Sequence, residues 1–152
     1  MTEAEQIIER LALQRHPEGD WYRQTWVGPQ IGPQIGPQIG PQIGGRASGT
    51  AILFLLAAGE RSHWHRVDAD EIWLWHAGAP LILRLAETAA GPAREVVMGA
   101  AVLEGQAVQA VVPKGWWQAA RTTAAWSLVS CTVSPGFRFE GFELAPDGFE
   151  IG

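Results

Sequence analysis

The stretch Ser62-His63-Trp64-His65-Arg66-Val67-Asp68-Ala69-Asp70-Glu71-Ile72-Trp73 decides how the rest of the chain is read. His63 and His65 stand two apart, and on a strand that spacing sends both imidazoles to one face. A short turn follows, so that Glu71 opens the next strand beside them. Two imidazoles and a carboxylate converging from adjacent strands form a donor set suited to Fe, Mn, Ni or Zn. The same residues admit a metal-free reading. There the histidines are half-buried and hydrogen-bonded to Glu71 or Asp70, and Glu71 is a general base whose proton affinity rises through burial among Trp73 and Trp75.

On either side of this stretch the chain reads as short strands separated by Gly and Pro turns. Strands are expected at 51–57, 71–76, 81–85, 95–98, 109–112, 126–133 and 137–144, with an extended, aromatic-rich piece at 20–27. One helix precedes them. Thr2 and Glu5 have capping-box spacing, and Ile7, Ile8, Leu11 and Leu13 follow as an apolar stripe. His16-Pro17-Glu18-Gly19 ends the helix, because Pro17 disfavours helical backbone at the residue before it. Regular short strands with a single helix predict an all-β sandwich or barrel. No glycine-rich phosphate loop opens a helix, which argues against a nucleotide-binding α/β fold.

Between the first strands lies a perfect repeat: GPQI four times from Gly28 to Ile43, closed by Gly44. A period of four excludes collagen, which needs glycine at every third position. The repeat is expected to be an extended loop insertion at 28–44, protruding from one domain that spans 1–152, and dispensable for folding. A recognition loop for an aromatic groove is the alternative reading.

Composition narrows the function classes. The chain has 152 residues, 47% of them apolar, enough for a sizeable core. Its formal charge of −5 provides no basic field for nucleic acid or an anionic membrane. The acidic start MTEAEQIIER is unlike a signal peptide, and no apolar run approaches the ~20 residues of a membrane span, so a cytoplasmic protein is expected. The single cysteine, Cys131, sits in an apolar strand and reads as a buried, inert thiol. Eight tryptophans suggest a heavy core or an aromatic-lined pocket. His16 and His76 lack paired spacing and read as structural.

The 62–73 stretch resembles the first motif of the cupin superfamily, in which H-x-H and Glu supply three metal ligands. Pro113-Lys114-Gly115-Trp116-Trp117-Gln118 resembles its second motif, with Gln118 where the family has its fourth ligand, a histidine. Over most of its length the chain resembles the DUF985 (cupin_5) subfamily: HPEGDWYRQTW at 16–26, TAILFLL at 50–56, SHWHRVDADEIW at 62–73, AGAPL at 77–81, VVPKGWWQAA at 111–120 and SCTVSPGFRFEGFEL at 130–144. The resemblance implies a cupin-type double-stranded β-helix, or jelly-roll barrel, with a short N-terminal helix. It also implies a pocket at one end of the barrel that binds or converts a small polar molecule, sugar-like or sugar-nucleotide-like.

Three departures qualify this: five residues separate His65 from Glu71, Gln118 replaces a histidine, and Leu74 stands where subfamily members commonly have one. The residues singled out are His65 and Glu71 as catalytic groups, and Tyr22, Arg23, Trp73, Trp75 and Gln118 as ligand contacts. His63, His65, Glu71 and Gln118 would be the ligands if one divalent transition metal is bound; the alternative needs no cofactor. Arg23 and Arg66 are candidates to anchor an anionic substrate. The activity expected is epimerase- or isomerase-like or metal-dependent, against a non-catalytic binding protein, and the assembly expected is a homodimer.

Overall fold

The computed structural model describes residues 1–31 and 45–152. The capping box forms as the sequence predicts. Thr2 Oγ1 accepts from the Glu5 N–H (3.1 Å) and the Glu5 carboxylate accepts from the Thr2 N–H (2.9 Å), starting helix α1 (Glu3–Arg10). Its apolar stripe, Ile7, Ile8 and Leu11, packs with Leu13 over Leu55, on the outside of a sheet.

The strands that follow are β1 (Gln14–Arg15), β2 (Trp21–Val27), β3 (Thr50–Ala57), β4 (Arg61–Val67), β5 (Asp70–Gly78) and β6 (Leu81–Ala86). Then come β7 (Arg94–Met98), β8 (Gln109–Val112), β9 (Trp117–Thr122), β10 (Trp126–Ser134) and β11 (Phe142–Leu144). They form two antiparallel sheets, ordered β1-β2-β3-β10-β5-β8 and β11-β4-β9-β6-β7. The inner faces obey the period of two. Phe54 and Leu56, Leu81, Leu83 and Leu85, and Val129 and Cys131 alternate inward and close around Trp73. This is the jelly-roll arrangement expected. No described helix is long and apolar enough to cross a membrane.

Two local expectations change. Residues 137–144 do not form one strand: Phe139–Gly141 is a 3₁₀ turn and only Phe142–Leu144 pairs, with β4. At this turn the Asp68 carboxylate accepts from Arg46 (2.7 Å) and Arg138 (3.1 Å) and backs onto Gly141, where a Cβ would collide with it. That clamp bends the chain and gathers Phe137, Phe139 and Phe142 into edge-to-face contacts. Strand β9 was not among the expected strands, yet it joins β4 to β6 at the centre of the second sheet.

The first GPQI unit continues the β2–β3 hairpin. Gly28 N–H donates to Gly49 O, Ser48 N–H to Pro29 O and Ile31 N–H to Arg46 O, each at 2.8 Å, with Pro29 at a position that needs no donor. The remaining units of the expected loop lie outside the described residues.

Candidate functional site

The site begins in the turn between β1 and β2. His16 N–H donates to Asp20 O (2.8 Å) and Gly19 N–H to His16 O (3.0 Å), closing residues 16–20 into a compact loop. This loop lies across β4: His63 N–H donates to Glu18 O at 3.0 Å. Gly19 permits the approach. Its φ is +112°, and a Cβ there would stand 2.6 Å from Arg61 O, a backbone atom that cannot step aside. Gly19→Ala should therefore cost about 2–3 kcal/mol through backbone strain and lift Glu18 out of place; denaturant titration checks it, and a variant of unchanged stability would refute the close packing.

Laid down this way, the Glu18 side chain enters the barrel between two residues of β4. Ser62 Oγ donates to Glu18 Oε1 (2.9 Å), and Glu18 Oε2 lies 3.1 Å from His65 Nε2. A bulge in the β4–β9 pairing between Ser62 and His65 lets both point inward. The same bulge overturns the expectation that His63 and His65 share a face. Trp64 is buried outside the barrel, against Trp117, Ala145 and Ile151. His63 turns outward with it, with Nε2 3.0 Å from Pro146 O and Nδ1 3.0 Å from the Arg61 guanidinium.

The protonation of His65 follows from its partners. Nδ1 is 2.7 Å from His63 O, and a carbonyl only accepts, so Nδ1 carries a hydrogen. Nε2 then faces a carboxylate oxygen, and one proton must lie on that 3.1 Å line, on the ring or on Glu18.

Glu71 is held by a second chain of bonds. The Trp73 indole, a donor only, gives its hydrogen to Gln118 Oε1 (2.8 Å), which orients the Gln118 amide so that Nε2 donates to Glu71 Oε1 (2.8 Å). Burial pushes the Glu71 carboxyl above the ordinary range, with His65 and the Gln118 bond opposing. An acid whose folded pKa is raised contributes stability below its unfolded pKa, about 4.3, and that contribution is lost as pH rises through the folded value. The melting temperature of Glu71→Gln relative to the wild type should therefore climb from pH 5 to pH 8, and a difference independent of pH would refute a Glu71 perturbed in this sense.

Two further groups complete the cluster. His16 Nδ1 accepts from the Glu18 N–H (3.2 Å) and stands 3.7 Å from Glu18 and 3.9 Å from Asp20, with its pKa lowered by burial. Asp20 is 0% exposed, and neither carboxylate oxygen has a hydrogen-bond partner among the described residues. Burial and then the Glu18 charge raise Asp20 well above its ordinary value.

These groups border a cavity of about 240 Å³ between the sheets. His16, Glu18, His65 and Glu71 line its polar part; Tyr22, Phe54, Phe137, Phe139 and Phe142 are its aromatic walls. Of the residues singled out from sequence, His65, Glu71 and Tyr22 line the cavity. Gln118 and Trp73 stand behind Glu71, fully buried. Trp75 sits farther along β5 with its indole donating to Ala79 O (3.0 Å), and Arg23 is exposed on β2. Arg66 is on the surface, paired with Glu143 (2.8 Å). The site residues that sequence reading missed are His16, Glu18 and Asp20. Their alternation, H-x-E-x-D just before a strand, is the signal in the sequence that points to them.

The four-ligand cupin metal set does not fit this chain. His63 points out of the barrel, and the Gln118 oxygen is committed to Trp73, which leaves only His65 and Glu71. A different group, His16, Glu18 and Asp20, brings potential ligand atoms within 4.8 Å of one another.

Comparison with known proteins agrees with the architecture. Residues 5–145 match the family described as Cupin superfamily (DUF985). A hypothetical protein from Leishmania major is 32% identical, covering 97% of this chain and 90% of its own, with a TM-score of 0.80. The crystal structure of a Shewanella oneidensis protein is 35% identical, covering 95% and 85%, with a TM-score of 0.81. KdgF from Halomonas sp., at 16% identity, 84% and 90% coverage and a TM-score of 0.54, shares the fold. No curated protein matches the chain.

Proposed function

Since the chain belongs to the DUF985 family of the cupin superfamily, we propose that its barrel cavity binds a small polar molecule and transfers protons on it, without metal, in the manner of an isomerase or epimerase. The observation that carries this is the 3.1 Å contact between His65 Nε2 and Glu18 Oε2 next to a separately held carboxyl, Glu71. An imidazole–carboxylate pair facing a second carboxyl supplies the two proton-handling groups that acid–base chemistry needs. Glu71 is a carboxyl whose proton affinity burial raises. It takes a proton from a carbon next to a substrate carbonyl, while the Glu18–His65 pair delivers its shared proton to the developing oxyanion. Return of a proton to the other face of the carbon, or to its neighbour, completes the exchange. The cavity, about 240 Å³, falls below the usual ~300–1,000 Å³ of ligand pockets, which favours a compact substrate.

Such chemistry carries solvent hydrogen into its substrate. Small hydroxy- and amino-carbonyl compounds incubated with the protein in D₂O should include at least one that gains deuterium next to its carbonyl, read by NMR. Binding without any exchange would favour a non-catalytic binding protein.

A metal-assisted reading is favoured by one observation, the unpartnered Asp20 carboxylate beside His16 and Glu18. Metal analysis of protein purified without chelator decides it: about one equivalent of metal, lost in Asp20→Asn, supports this version, and no uptake of Mn, Fe, Ni or Zn removes it.

The expected homodimer is kept as a proposal. β1 ends the six-stranded sheet, and Trp26 and Val27 on neighbouring β2 are exposed, an edge suited to covering by a second copy. Light scattering should give twice 16.5 kDa.

A further inference from the structure

Charge separates the small molecules this cavity can hold from those it cannot. No lining residue is lysine or arginine, and residues 32–44 contain neither by sequence. Arg46 and Arg138 are already paired. Arg46 donates to Asp68 (2.7 Å) and to Gly136 O (2.8 Å), and Arg138 also binds Asp68 (3.1 Å). Glu18 lies against His65, the one lining group able to carry positive charge there, since His16 Nδ1 is turned to a backbone N–H. Against this stand two lining carboxyls, Glu18 and Glu71, with Asp20 fully buried beside them and without a donor on either oxygen. An anionic ligand would meet these acids with no arginine or lysine to hold it, and burying such a charge unpaired is costly.

The rest of the wall combines five aromatic rings with the neutral polar groups of Gln14, Gln24 and Thr50 and with aliphatic side chains. Phe137, Phe139 and Phe142 touch edge to face with centroids 5.0–6.1 Å apart, and Tyr22 and Phe54 line the same space. The cation–π contacts among the described residues all fall on tryptophans outside the cavity, so no guanidinium covers these rings. Ring faces attract ammonium groups through the ring quadrupole, and the carboxyl oxygens of Glu18 and Glu71 can accept their N–H bonds.

We infer that the cavity selects a compact molecule bearing a protonated amine, and rejects phosphorylated or carboxylated molecules, sugar nucleotides among them. This rests on the proposed function only in assigning the ligand to the same cavity; it does not require proton transfer.

Two matched series test it by isothermal titration on chelator-treated protein: ethanolamine, ethylene glycol and glycolate; and glucosamine, glucose and glucuronate. In at least one series the amine should bind about tenfold or more tighter than the neutral analogue, with no measurable binding of the acid. Phe139→Ala, at a residue already 56% exposed, should weaken the amine several-fold more than the neutral analogue; Glu18→Gln should erase the preference. Equal binding of amine and neutral analogue, preference for an acid, or no binding in either series would overturn the inference. Amine binding without deuterium exchange would sink the proposed chemistry and leave this inference standing, and exchange on an anionic compound would do the reverse.

Discussion

His65→Asn and Glu71→Gln should each slow deuterium exchange into a responsive substrate by about 10²–10⁴-fold, the usual contribution of a positioned acid or base. The losses have different origins. In His65→Asn the proton shared with Glu18 has no ring nitrogen to occupy, so the oxyanion loses its acid. In Glu71→Gln the bond from Gln118 can persist but the site has no base at that position. Glu18→Gln should fall between wild type and His65→Asn, because His65 keeps its orientation from the His63 carbonyl (2.7 Å) while losing the carboxylate that faces its Nε2 at 3.1 Å. His63→Ala is the contrasting variant. Its side chain points to Pro146 and Arg61, outside the barrel, so exchange should stay within about twofold of wild type. A His63→Ala protein as impaired as His65→Asn would refute the bulged register of β4.

Trp73→Ala should cost about 3–5 kcal/mol, the range for emptying a large aromatic from a packed core. Trp73 is 1% exposed, packs on Phe54 at 5.4 Å between centroids, and lies among residues from both sheets. For a chain of this size that loss lowers the melting temperature by roughly 10 °C or more. Trp73→Phe separates packing from hydrogen bonding. Much of the apolar volume remains, but Gln118 Oε1 is left buried without its donor, at about 1–3 kcal/mol. The freed amide can rotate and withdraw its N–H from Glu71, which raises the Glu71 pKa further, because the lost bond favoured the charged form. The pH profile of exchange should then move to higher pH in Trp73→Phe. A Trp73→Phe protein with wild-type stability and an unshifted profile would show that the indole does not orient this chain of bonds.

The elements visible in the sequence are those fixed by neighbours along the chain. The capping box at Thr2 and Glu5 involves residues three apart, and it forms with the expected bonds. The inward leucines of β6 and the alternation of β10 are period-two patterns, and both appear as read. Where that period is interrupted, sequence reading fails. One extra residue in β4 places His63 outside and His65 inside, and it is accommodated because Trp64 is buried under residues 145–151, about eighty positions away. Nothing local to His63-Trp64-His65 records that cover.

Alternation and turn residues pointed to an all-β sandwich or barrel with one capped helix, and the resemblance of the quoted motifs to cupins pointed to the jelly roll and to a cavity at which His65, Glu71 and Tyr22 are found. Tertiary structure alone decided the chemistry at those residues. Glu18 reaches His65 because Gly19 lets a turn lie on β4, and Asp20 is stripped of donors by the packing around that turn. Gln118 supports Glu71 through its N–H because an indole from the other sheet takes its oxygen. The physical reason is common to all three. Strand and helix propensities act over a few residues, whereas proton affinity and hydrogen-bond direction depend on burial and on partners brought from distant parts of the chain.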